Sequence, residues 1–86
     1  MPEMEIGYVT HYFGHISVAA IQLTNGELAV GDTIHVKGHT SDFTQVVESM
    51  QIEHVNVPKA ARGQNAGTKL KEHVREHDAV FKVVPD

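Results

Sequence analysis

The run Asn25-Gly26-Glu27-Leu28-Ala29-Val30-Gly31-Asp32-Thr33-Ile34-His35-Val36-Lys37-Gly38 limits the fold more than any other part of the chain. It holds an Asn-Gly pair, a short apolar rung, a second turn pair at Gly31-Asp32 and an alternating segment that ends on glycine. Asn-Gly suits a hairpin turn in which both central residues need positive φ, so a two-residue turn is expected at positions 25–26. Side chains alternate faces along a strand, and Thr33 to Lys37 therefore reads as a strand with Ile34 and Val36 turned inward.

The same period of two runs through much of the rest. From Met4 to Tyr12 it places Met4, Ile6, Tyr8 and Tyr12 on one face and Glu5, Gly7, Val9 and His11 on the other. Ile16 to Leu23 is nearly continuous in apolar residues, and its length and β-branching suit a buried strand better than a helix. Gly38 to Asp42 is a polar loop, and Thr44 to Val55 reads as one long strand able to bend. Val57 to Gly63 lacks strand patterning, and Pro58 ends the preceding ladder. Gly67 to Lys71 is a brief strand, Glu72 to Asp78 a charged connection, and Ala79 to Val84 the last strand. Six to seven strands, with turn signals roughly every 8 to 12 residues, imply an all-β, closed antiparallel barrel. No linker, repeat or low-complexity segment interrupts the sequence, so residues 1–86 are expected to form one domain.

Composition narrows the function classes. Cysteine is absent, which removes disulfide and thiolate chemistry and points to a reducing, cytoplasmic setting. The first residues lack a basic region followed by an apolar one, as a secretory leader would have, and no apolar run approaches the roughly 18 to 20 residues that span a bilayer. No membrane partner is expected. Net charge is −4 but unevenly spread: residues 1–58 carry one base against seven acids, and residues 59–82 carry six bases against three acids. Lys59, Arg62, Lys69, Lys71 and Arg75 are therefore candidates for a basic patch that contacts phosphate, although scattered surface lysines would read the same way.

Taken together, several short signals resemble a known family. Gly26-x-Leu28-x-Val30-Gly31-Asp32-x-Ile34-x-Val36-x-Gly38 is followed by Val47-x-Ser49-Met50-Gln51, Val57-x-x-Ala60, Gly63-Gln64-Asn65-Ala66-Gly67 and Asp78-x-Val80-Phe81. In that order, from about Ile6 to Val84, they resemble the second domain of translation elongation factors such as elongation factor Tu. The resemblance implies a closed barrel of six or so strands, and a module that touches ribosomal RNA and borders the pocket for the end of aminoacyl-tRNA. It places two pocket positions on Gln51 and His54, where the family has an acid and an arginine, so capture of aminoacyl-tRNA is not implied. The phosphate loop Gly-x-x-x-x-Gly-Lys-[Ser/Thr] is missing, and this chain alone is not expected to bind GTP. Similar barrels also resemble C-terminal attachments of larger peptidase U32 enzymes.

Six of the seven histidines fall in pairs four apart: His11 with His15, His35 with His39, His73 with His77. His73-Val74-Arg75-Glu76-His77 matches the His-x-x-Glu-His pattern of one zinc-protease group, whose chemistry needs a helix so that both imidazoles share a face. On a strand, residues four apart are roughly 13 Å from each other, too far for one ion. Solvated or backbone-bonded loop histidines account for the pattern, with a histidine-based metal site as the remote alternative. The serines sit in ordinary turn and strand contexts, and no cofactor motif is present.

The residues and the resemblance together give a non-catalytic barrel module that associates with RNA or the ribosome. The alternative is a docking domain that packs on a larger U32-peptidase-like partner, with Tyr12-Phe13 or the Val57-Pro58-Lys59-Ala60 loop as its contacts.

Overall fold

A glycine with no room for a methyl group stands in the longest strand, and the sheet is built around it. In the computed structural model, which describes residues 2–84, β1 runs Glu3–Phe13 and β2 runs Val18–Leu23 beside it. A Cβ at Gly7 would lie 2.0 Å from the carbonyl oxygen of Gln22. Only glycine lets the two backbones approach so closely.

The remaining strands are β3 Leu28–Ala29, β4 Thr33–Lys37, β5 Asp42–Val46, β6 Met50–Ile52, β7 Val55–Asn56, β8 Lys59–Ala60, β9 Asn65–Lys69 and β10 Ala79–Val83. Eight of them make one antiparallel sheet in the order β5-β4-β10-β1-β2-β9-β6-β7, and β3 with β8 forms a small ribbon. The described residues contain no helix, and so none long and apolar enough to cross a membrane. All-β antiparallel architecture is as the alternating pattern implies. Among the described residues, no backbone ladder joins the two ends of the sheet order.

Ile6, Ile21, Leu23, Ile34, Val36 and Val80 are fully buried in a single core. Ile34 and Val36 face inward on β4 as their alternation requires. β1 does not keep one phase. Its register shifts against β10 between Glu5 and Gly7, and against β2 between Val9 and His11. Each bulge inserts one residue and flips the faces beyond it. Ile6 and Val9, three apart, are consequently both buried, whereas Tyr8 is turned outward.

Three local expectations are revised. Asn25 and Gly26 do not have positive φ; instead the amides of Thr24 and Asn25 bond to the carbonyl of Ile6, at 2.8 and 3.1 Å. Gly26 serves close packing, since a Cβ there would stand 2.9 Å from Ile6 Cγ2. The hairpin turn with two positive-φ residues is at Glu53 (φ 51°) and His54 (φ 67°), between the paired Ile52 and Val55. The long strand expected from Thr44 to Val55 is thus three short ones, broken at residues 47–49 and again at this turn. In the segment taken as unpatterned, Lys59 and Ala60 pair with Ala29 and Leu28.

The Gly31-Asp32 corner forms as expected. Gly31 has φ 98°, and the Asp32 carboxylate accepts from the Ala29 amide at 2.9 Å and pairs with Lys82 at 3.3 Å. Gly38 ends β4 where the buried Asp78 carboxylate fills the place of its missing side chain.

Because the obstacle at Gly7 is backbone, Gly7→Ala is expected to destabilise the chain by about 1–3 kcal/mol through forced separation of β1 and β2. The measurement is a lowered urea midpoint at unchanged m-value.

Candidate docking surface

Register alone lays out the outward face of the central strands. Tyr8 pairs with Gln22 and Gln22 with Asn65; His11 pairs with Ala20, Ala20 with Gly67, and Gly67 with Gln51; Phe13 pairs with Val18, and Val18 with Lys69. The middle row has the smallest side chains at its centre, Ala20 and Gly67. It forms the floor of a trough that crosses four strands, about 14 Å at ordinary strand spacing. A groove of about 360 Å³ lies here, lined by Phe13, Ile16, Val18, Ala20, Gln51, Glu53, His54, Asn65 and Gly67. Phe13 is 47% exposed and Ile16 60% exposed at its edge.

The run from Ile16 to Leu23 explains this surface. Ala19, Ile21 and Leu23 are buried, while Val18 and Ala20 share the outward face and Ile16 is exposed before the strand begins. An apolar run without alternation marks a strand covered on both faces. In this chain only one face is covered.

Histidines and aromatics meet along β1. His11 contacts the ring of Phe13 edge-on at 4.4 Å between centroids, and its Nδ1 lies 3.3 Å from the Glu76 carboxylate. His73 packs edge-on against Tyr12 at 4.7 Å, and His77, at φ 75°, stacks near Tyr8. The segment holding His73 and His77 is not helical, and the two rings meet different tyrosines. Among the described residues, no group of three or more His, Asp or Glu side chains is arranged to hold a metal ion.

His35 forms the tightest ionic cluster. Its Nδ1 lies 3.0 Å from both Glu3 carboxylate oxygens, and its Nε2 bonds to Asp42. Ionised carboxylates only accept, so both ring nitrogens can donate at once only in the protonated imidazole, the form this arrangement favours. The bonds to Asp42 and then Glu3 raise the His35 pKa above its ordinary 6.5, and the bond from His35 holds Asp42 below 3.8. The cluster ties β1, β4 and β5 together across the intervening β10.

The five candidate bases are spread over several elements. Lys59 sits on the β3–β8 ribbon, paired with Glu27 at 3.3 Å. Arg62 is exposed in the turn before β9, and Arg75 is exposed in the connection to β10. Lys69 and Lys71 do share a cavity of about 340 Å³, with Gln45, Val46, Glu48, Ser49 and Leu70. There the Gln45 side chain acts as a substitute peptide group: its Nε2 donates to Lys69 O at 3.0 Å and its Oε1 accepts from Lys71 N at 2.8 Å. Gln51 and His54 line the trough. Tyr12 is half-buried against the core, whereas Phe13 faces the trough; Val57 and Pro58 line a separate shallow cavity. Ile16, Val18, Ala20, Glu53, Asn65 and Gly67 were not singled out from sequence as site residues; the unbroken apolar run was the signal for the first three.

The crystal structure of the C-terminal domain of a Geobacillus thermoleovorans protein assigned to the U32 peptidases superposes with a TM-score of 0.84, covering 95% of this chain and 93% of that one at 25% identity. The chain has the fold of a U32 peptidase C-terminal domain. In sequence it is 42% identical to an uncharacterized protease of Methanocaldococcus jannaschii over 92% of its own length, and 35% identical to a Porphyromonas gingivalis collagenase over 90%. It spans only about a fifth of these relatives, 19% and 22% of their lengths. No known family profile matches the chain. These relatives are proteases and a peptidase domain, not translation factors. The expectation of an RNA- or ribosome-associated module of protein synthesis is therefore corrected; the motifs behind it are turn and core positions that another all-β module also uses.

The pH dependence of the His35 cluster follows from the direction of its shifts. The raised His35 pKa contributes stability that is fully present below about pH 6.5 and is lost as pH rises through the folded value. The lowered Asp42 pKa contributes stability that is present above about pH 3.8 and is lost as pH falls through the folded value. The urea midpoint is therefore expected to fall as pH rises from about 6.5 through the raised His35 value, and His35→Gln to flatten that slope. An equal slope in the variant would assign the dependence to other groups.

Proposed function

We propose that this chain is a non-catalytic docking module that packs on a larger U32-peptidase-type body, with residues 1–86 acting as one domain. The observation that carries the reading is the apolar outward face of β2, flanked by exposed Phe13 and Ile16. An uncovered apolar groove of this kind is a common mark of a protein interface. The relatives support the choice of partner, because in them the matching segment is a minor part of a protease. Any peptide-bond chemistry then belongs to the partner, and this chain supplies recognition or placement.

The proposal extends to shape: the sheet curls until its ends meet as a barrel. Three residues, 47–49, connect β5 at one end of the sheet order to β6 near the other. The Gln45 amide bonds on either side of Leu70 would take the place of a backbone ladder at the seam. Gln45→Ala is then expected to cost about 1–2 kcal/mol, read as a lower urea midpoint, since two hydrogen bonds are exchanged for water. A neutral substitution would argue for an open seam.

The docking reading is tested by mixing the purified chain with a U32-family body from the same source and following sedimentation. A one-to-one complex with Kd of ~1 μM or tighter is expected, typical of a specific interface. Independent sedimentation of the two at tens of micromolar, roughly tenfold or more above that Kd, would overturn it.

A further inference from the structure

We infer that the trough on the outward face of β1, β2, β9 and β6 recognises a partner segment in which a bulky apolar side chain is followed by a basic one, arginine best of all. The inference rests on the docking reading for the source of the segment, but its chemistry is written in the groove. One wall is apolar: Phe13, Ile16, Val18 and Ala20. The opposite rim is polar, formed by Asn65, Gln51, Glu53 and His54, and the acceptors among these are two amide oxygens and a carboxylate.

The orientation of Asn65 follows from proton counting. The Thr10 hydroxyl has a single proton and donates it to the carbonyl of Ala20 at 3.1 Å. Asn65 Nδ2, 3.1 Å from that hydroxyl oxygen, must therefore be the donor of their bond. The Asn65 amide oxygen is left without a partner among the described residues. Gln51 Nε2 donates to Asn56 Oδ1 at 3.0 Å, and the Gln51 amide oxygen has no partner among the described residues. Glu53, lifted into the groove's edge by the positive-φ turn, has no ion-pair partner among the described residues.

Two amide oxygens and a carboxylate beside an apolar floor fit a guanidinium, which offers five donors in a plane and stacks on apolar surface through its stem. They disfavour a phosphate or a carboxylate, which bring only further acceptors. Lys69, the cation of the adjoining row, lines the separate cavity near Gln45.

The test uses the full chain and fluorescein-labelled synthetic peptides with a central Leu-Arg, Leu-Glu or Ser-Arg pair, read by fluorescence polarisation at low salt. The Leu-Arg peptide is expected to bind at least about tenfold more tightly than either control. Glu53→Gln should reduce the preference for Leu-Arg over Leu-Glu several-fold, and Ile16→Ser should reduce the preference for Leu-Arg over Ser-Arg. Both side chains are exposed, so urea midpoints near wild type are expected to confirm that the fold is retained. Equal binding of the three peptides, binding of none, or unchanged selectivity in both variants would overturn the inference. The same variants mixed with the U32-type body separate the two ideas. A body bound equally by wild type and both variants removes the groove's role and leaves docking standing. Selective peptide binding with no body bound removes docking and leaves the groove's chemistry standing.

Discussion

The short link between β5 and β6 governs the geometry of the whole sheet. β5 is at one end of the strand order and β6 is next to the other end, yet only residues 47–49 separate them in sequence. A chain of that length reaches little more than about 14 Å even when extended. Eight strands laid flat would place those ends more than twice as far apart at ordinary spacing. The sheet must therefore curve strongly, and Val47 and Met50, on either side of the break, are buried inside the curve. The Gly31 and Asp32 corner holds the link, with Gly31 N bonded to Val47 O and Val47 N bonded to Asp32 O, both at 2.8 Å.

That curvature accounts for what could and could not be read from the residues. Ile34 and Val36 were legible because β4 is short, regular and buried on one side. β1 was legible as a strand, but its faces were not. A bulge leaves no residue type that marks it, so strict alternation misplaced Tyr8 and Val9. The positive-φ turn was sought at Asn25-Gly26, where the residue types favour it, and lies at Glu53-His54, where they do not. Tertiary pairing of Ile52 with Val55 outweighs local preference there. Ala60 joins a two-residue ribbon too short for any pattern to reveal.

The candidate surface was only partly visible for a similar reason. Charge drew attention to Lys59, Arg62, Lys69, Lys71 and Arg75, but sequence order says nothing about which loops bring bases together. Histidine spacing drew attention to metal ligation, and the fold sets His73 and His77 beside tyrosines and His11 and His35 beside carboxylates. The informative signal was Ile16 to Leu23, an apolar run with no polar alternation. It reads as a buried strand, and the burial is confined to one face. That its second face is apolar yet uncovered is visible only once the core has been seen.

The division of labour along β2 carries a wider consequence. Ala19, Ile21 and Leu23 answer to the interior, whereas Val18, Ala20 and Gln22 answer to the surroundings, and the pleat keeps the two sets apart. Outward positions can then be revised one at a time without disturbing how the chain folds. A scaffold wired in this way can change allegiance while its architecture stays still.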